Sequence, residues 1–174
     1  MRAYAVVSVI GPDRPGIVDE VSRLAAERRC NIEDSRMAVL GGDFALIMLL
    51  AGEKPQLEAA GADIGKWGRE QAMSVLSRPT SAPAKAGKPS AEIAIEMPDQ
   101  PGIVARVTHF LAERGANVEN LETSLRPAPF TGTPTFAMQM DIRSSGQLPL
   151  EELRKALQDL ARDEDIHITV GKAL

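Results

Sequence analysis

The segment Pro12-Asp13-Arg14-Pro15-Gly16-Ile17-Val18 returns as Pro98-Asp99-Gln100-Pro101-Gly102-Ile103-Val104, at an offset of 86 residues. The same offset aligns Ala26-Glu27-Arg28 with Ala112-Glu113-Arg114, and Asn31 with Asn117. Self-similarity over this length means two copies of one small unit rather than one large fold. It divides the 174 residues into domains at 1–78 and 91–174, joined by a linker at 79–90. Domains of roughly 80 residues bury only about 60 to 65% of their unfolded surface, so each is expected to lean on the other or on a second chain.

Each copy carries one order of elements. In the first, residues 3–10 are β-branched and apolar and read as a strand, broken by Gly11-Pro12-Asp13. Ile17, Val18, Val21, Leu24 and Ala25 then recur at helical spacing across 15–29. Pro15 suits a first helical position, and Asp13 is placed to cap it. Residues 31–40 and 43–51 read as a hairpin about Gly41-Gly42. A helix over 55–67, weakened by Gly61 and Gly65, and a short strand over 73–77 follow. The second copy reads as strand 92–97, helix 101–114, strands 117–125 and 135–143, helix 150–162 and strand 166–170. The order βαββαβ, twice, predicts an α+β fold of two ferredoxin-like domains, each an antiparallel sheet with both helices on one face. The linker holds three prolines and should be extended.

The two sheets are expected to differ. Phe136, Met138, Met140 and Ile142 alternate with Ala137, Gln139, Asp141 and Arg143, which describes a sheet with one wet face. The matching run Phe44-Ala45-Leu46-Ile47-Met48-Leu49-Leu50 is apolar on both faces. Helices cover one face, so a second chain or the partner domain is expected on the other, although a central strand that tolerates exposed aliphatics accounts for the same pattern.

Composition narrows the function. The net charge is −4 and no basic run occurs, so direct contact with nucleic acid is not expected. Cys30 is the single cysteine and reads as a core residue, which fits a reducing compartment. The start runs directly into a strand pattern and no apolar stretch approaches the roughly 20 residues of a membrane span, so a cytoplasmic protein without membrane contact is expected. His109 and His167 are expected to face solvent and have no partners at ligand spacing, so no metal is expected. No phosphate loop, dinucleotide fingerprint or Ser-His-Asp order is present, hence no cofactor and no catalytic residue. The acidic groups Glu151-Glu152 and Asp163-Glu164-Asp165 read as solvated helix ends, and residues 126–134, with Phe130, as a surface loop.

The repeated turn is the candidate site. The first turn of a helix presents unpaired N–H groups and a partial positive charge, which suit a carboxylate. Gly16 and Gly102 let a ligand approach the backbone, while Asn31 and Asn117 begin the next strand, expected near the same helix, and offer amides for a zwitterion. A purely structural role accounts for the same residues: Asp caps, Pro starts the helix, Gly packs closely and Asn ends a turn. Composition and spacing leave both readings open.

An Asp-x-Pro-Gly turn, an amphipathic helix and Asn-Ile or Asn-Val, within βαββαβ, resembles the ACT domain, a small-molecule regulatory module. The resemblance covers both halves of the chain. The free-standing tandem, with Ala128-Pro129-Phe130-Thr131-Gly132-Thr133-Pro134 in its second copy, is similar to the glycine cleavage system transcriptional repressor group. That likeness implies sensing without catalysis: a small amino acid such as glycine bound at interfaces between paired domains, a homodimer, and action on a protein partner such as a transcription activator. The ligand-binding residues it implies are Asp13, Arg14, Pro15, Gly16, Ile17 and Asn31, with Asp99, Gln100, Pro101, Gly102, Ile103 and Asn117. Arg14 becomes Gln100 between the copies, so two equivalent sites are not expected. The alternatives are a regulatory subunit of an amino-acid or one-carbon enzyme, or a ligand-free interaction scaffold.

Overall fold

The structure, a computed structural model, describes residues 2–83, 91–99, 101–127, 134–144, 152, 155, 159 and 167–171. Contacts divide the chain into two compact units, residues 1–85 and 86–174. The first unit runs β1 (Ala3–Pro12), α1 (Ile17–Glu27), β2 (Asn31–Leu40), β3 (Asp43–Gly52), α2 (Lys54–Glu70) and β4 (Ser74–Thr80). Its strands lie in the order β2-β3-β1-β4 with every neighbour antiparallel. The second unit runs β5 (Ala91–Pro98), α3 (Ile103–Glu113), β6 (Ala116–Pro127), β7 (Pro134–Ser144) and β8 (His167–Gly171), in the matching order β6-β7-β5-β8. Glu152, Lys155 and Asp159 are helical within the helix expected over 150–162. The rest of that helix, linker residues 84–90, Gln100, residues 128–133, the acidic group 163–165 and the orientation of the His167 side chain lie outside the described residues.

Alternation along the strands builds each core. Ala5, Val7 and Val9 of β1 and Phe44, Leu46, Met48 and Leu50 of β3 are buried with Ile17, Val21 and Ala25 of α1 and Leu57, Ala60 and Ile64 of α2. In the second unit Ile93, Ile95, Met97, Met138, Met140 and Ile142 pack with Ile103, Val107 and Leu111 of α3. Because strand side chains alternate with period two, this burial sets α1 and α2 on one face of the first sheet and α3 on one face of the second. Cys30 joins the first core, as expected, and burial pushes its thiol pKa up.

Both helices start two residues later than the sequence predicts, and β1 runs on through Gly11 and Pro12, so the first turn is residues 13–16. Gly16 has φ +92° and Gly102 φ +88°, the left-handed conformation that a right-handed helix cannot include. The helices therefore begin at Ile17 and Ile103, and Pro15 lies in the turn instead of opening the helix. Asp13 is not the cap, since no side chain caps α1. Instead its backbone N–H donates to the Gly42 carbonyl at 3.1 Å, and Asp99 N–H to the Pro134 carbonyl at 3.4 Å. The β2–β3 and β6–β7 hairpins thus hold the two turns by the same backbone bond.

Helix α2 also exceeds its expected length, starting at a capping box made by Glu53 and Gln56. Its glycines permit packing. A Cβ on Gly61 would stand 2.6 Å from Ser77 Oγ, and one on Gly68 2.4 Å from Val75 Cγ2. Gly61 and Gly68 therefore let α2 lie close on β4, whereas Gly65 meets only the end of the Arg69 side chain. Strand β4 continues to Thr80 beside Tyr4, so the first two residues of the expected linker are strand. Pro79 is tolerated there because β4 is an edge.

The open faces differ as the alternation predicts. On the first sheet, Ile10, Ile47 and Leu76 are 52%, 49% and 63% exposed. Register places Ile47 and Leu76 either side of Ser8. On the second sheet, Glu92, Ala94 and Glu96 stand opposite Asp141, Gln139 and Ala137. One open face is apolar and the other polar.

Candidate functional site

The first turn is fastened by side chains as well as backbone. Arg14 donates from Nη1 to Glu20 Oε1 at 2.8 Å and from Nη2 to Glu20 Oε2 at 2.7 Å. Its Nη2 also reaches Gln71 Oε1 at 3.0 Å, and Nη1 the Pro15 carbonyl at 3.2 Å. Trp67 Nε1 donates to Glu20 Oε2 at 2.7 Å, and the guanidinium carbon lies 6.0 Å from the Trp67 ring centroid. Fork-to-fork pairing of this kind is stronger and more directional than a single neutral bond. The Arg14 and Trp67 hydrogen bonds hold the Glu20 carboxyl at a pKa of about 2, against an ordinary 4.5, with partial desolvation opposing them. One clasp therefore joins the β1–α1 turn, α1 and the end of α2.

The implied ligand residues are not one cluster. Asp13, Pro15 and Gly16 are exposed at the first turn, and Asp99, Pro101 and Gly102 at the second. Ile17 and Ile103 are 2% and 4% exposed, so their side chains belong to the cores and position the turns. Asn31 stands at the other end of the sheet. It pairs with Ala51, which faces Tyr4, whereas the turn follows Pro12. Eight strand residues separate the two levels, roughly 26 Å at about 3.3 Å each. The proximity expected from sequence therefore fails within one unit, because β2 starts where β1 starts. Asn31 Nδ2 donates to Glu33 Oε1 at 3.0 Å, and Glu33 in turn pairs with Arg2. In the second unit Asn117 stands opposite Arg143, whose guanidinium grips Glu119.

Sequence reasoning missed Glu20, Trp67 and Gln71. A signal existed: at the offset of 86, Arg14 becomes Gln100 while Glu20 becomes Arg106, so both ends of the clasp change together. His109 faces solvent, as expected, but it stands 3.4 Å from Glu113 one helical turn on, a carboxylate neighbour the sequence reading left out. A cavity of about 600 Å³ opens at the end of the first unit remote from the turn, between Ala3, Ala5, Leu57, Gly61, Ser77 and Pro79. A shallower groove of about 380 Å³ crosses the apolar open face, where Ala82 and Pro83 border Val6, Arg36, Ile47 and Leu49. Among the described residues no cluster of His, Cys, Asp and Glu could hold a metal, and no helix is long and apolar enough to cross a membrane.

Two sheets of this order, each with an Asp-x-Pro-Gly turn leading into its first helix, define a tandem of small ferredoxin-like domains. Residues 3–76 and 91–162 each match the ACT domain, and the chain belongs to that family as two copies in tandem. It is 28% identical to the glycine cleavage system transcriptional repressor of Escherichia coli K12 over 161 residues, 92% of this chain and 85% of that one. A solved structure described as a glycine cleavage system transcriptional repressor is 25% identical with a TM-score of 0.73, covering 98% of this chain and 97% of that one. A protein from Galdieria sulphuraria is 33% identical with a TM-score of 0.79 over the whole of both chains. These likenesses give the chain a regulatory rather than an enzymatic role.

Proposed function

We propose that this chain is an amino-acid-responsive transcriptional regulator of glycine cleavage that works by binding a protein partner and does not itself contact nucleic acid. The observation that carries the reading is the likeness to a repressor of that system along 92% of the chain. The acidic net charge of −4 supports a protein target over a phosphate backbone. The exposed Ile10, Ile47 and Leu76 supply an apolar surface of the kind that protein partners cover. A cytoplasmic location accords with this work.

The proposed ligand is a small amino acid such as glycine, received at the turns Asp13-Arg14-Pro15-Gly16 and Asp99-Gln100-Pro101-Gly102 with its carboxylate toward the helix start. Asn31 and Asn117 would reach these turns from a second copy of the domain, as a homodimer supplies. Strand β2 is an edge strand exposed at every residue, an open template for a second β2. Antiparallel pairing about a two-fold axis sets the turn end of one sheet beside the Asn31 end of its mate.

Affinity capture on the full-length chain, with and without 10 mM glycine in the wash, tests the partner. The reading expects a transcription activator whose retention changes with glycine. Retention of a biosynthetic enzyme in its place would move the chain to the regulatory-subunit class.

A further inference from the structure

Within the amino-acid-sensing reading, on which this step rests, we infer that Glu20 closes the first turn to carboxylate ligands by holding Arg14 as a bound amino acid would. A carboxylate arriving at residues 13–16 finds one side-chain cation in the turn, Arg14. That guanidinium already presents its fork to the two Glu20 oxygens at 2.8 and 2.7 Å, which is the geometry the incoming carboxylate needs. Its remaining reach is taken by Gln71 and the Pro15 carbonyl.

Competition at this place is unequal. Glu20 is six residues from Arg14 in the same short segment, so it competes as an intramolecular group, at an effective concentration of about millimolar or more. Displacing it also breaks its bond from Trp67 Nε1 at 2.7 Å. Protonation does not open the clasp near neutrality, because the Glu20 carboxyl stays ionised down to a pKa of about 2. The second copy differs in sequence: Gln100 and Arg106 replace the two residues, so residue 106 brings no carboxylate to compete with a ligand there. Glu20 is thus the residue that sets the two copies apart in ligand specificity.

Trp67 is the chain's single tryptophan and touches the clasp, so its emission reads the first turn. The test is titration of glycine into the full-length chain, followed by Trp67 emission and by calorimetry. Wild type is expected to show flat Trp67 emission. Glu20→Ala is expected to gain a saturable emission change and one more glycine per chain than wild type, and Arg14→Ala in that background removes both gains. Glu20→Gln, nearly the same shape, shows a partial gain and stands in if circular dichroism finds the Ala variant unfolded. A saturable Trp67 response in wild type with two glycines per chain overturns the closure and leaves sensing intact. A folded Glu20 variant that binds no more glycine than a wild type binding one equivalent overturns the closure as well. Absence of binding heat from wild type and every variant removes the sensing reading itself, and the closure with it.

Discussion

Arg14 and Glu20 meet through two parallel hydrogen bonds of 2.8 and 2.7 Å, across the turn that makes both halves of this chain recognisable as copies. The pair has a pH signature. In the folded chain the Glu20 carboxyl takes up a proton near pH 2, whereas an unperturbed one does so near 4.5. The unfolded state therefore binds more protons between those values. The stability contributed by the pair is complete above pH 4.5 and is lost as pH falls toward 2. Urea midpoints followed by Trp67 emission should decline across that window in wild type, and less steeply in Glu20→Gln.

Two glycines of α2 should respond in opposite directions. Gly65→Ala places a Cβ 3.8 Å from the Arg69 guanidinium, an ordinary contact, and gains helix propensity, so it should stabilise by about 0.5–1 kcal/mol. Gly68→Ala drives a Cβ to 2.4 Å from Val75 Cγ2 and 3.1 Å from the Met73 carbonyl, and should cost about 1–3 kcal/mol. Chemical denaturation of the two variants, read by Trp67, decides the sign of each.

At Gly16 and Gly102 the backbone sets the cost. Nothing stands within 4 Å of a Cβ built on Gly102, yet its φ is +88°. Gly102→Ala and Gly16→Ala should each destabilise by about 1–2 kcal/mol through left-handed strain alone. Denaturation midpoints check this. Substituting these glycines is therefore a poor way to block a ligand, because the turn is strained as well as filled.

The apolar open face should matter for association and not for folding. Ile47 and Leu76 are about half or more exposed, so Ile47→Asp and Leu76→Asp should each leave stability within about 0.5 kcal/mol. The same variants should lose the captured partner. A clear drop in thermal midpoint, or unchanged capture, would count against this use of the face.

Much of the fold was legible in the sequence because it rests on local periodicity. Strand alternation and helical spacing are set by Val7, Val9, Leu46 and Met48 on one side and Ile17, Val21 and Ala25 on the other, and those residues form the first core. Element ends were harder to place. Pro15 obeys the rule for a helix start, but left-handed Gly16 beyond it delays the helix. The site was least legible, because its contacts are long in sequence: Trp67 reaches Glu20 across 47 residues and Gln71 reaches Arg14 across 57. Asn31 misled for the converse reason. It follows α1 closely along the chain, but α1 runs from the turn to the far end of the sheet, and β2 begins there.

The central claim is that this tandem ACT-domain chain responds to a small amino acid. A thermal-shift screen of the twenty amino acids against the full-length chain tests it most directly. A ligand at 100 times its dissociation constant should add about 2.7 kcal/mol to the unit that binds it. The account predicts a raised midpoint with glycine or a similarly small amino acid. An unchanged midpoint with all twenty would contradict it and leave an interaction scaffold in its place.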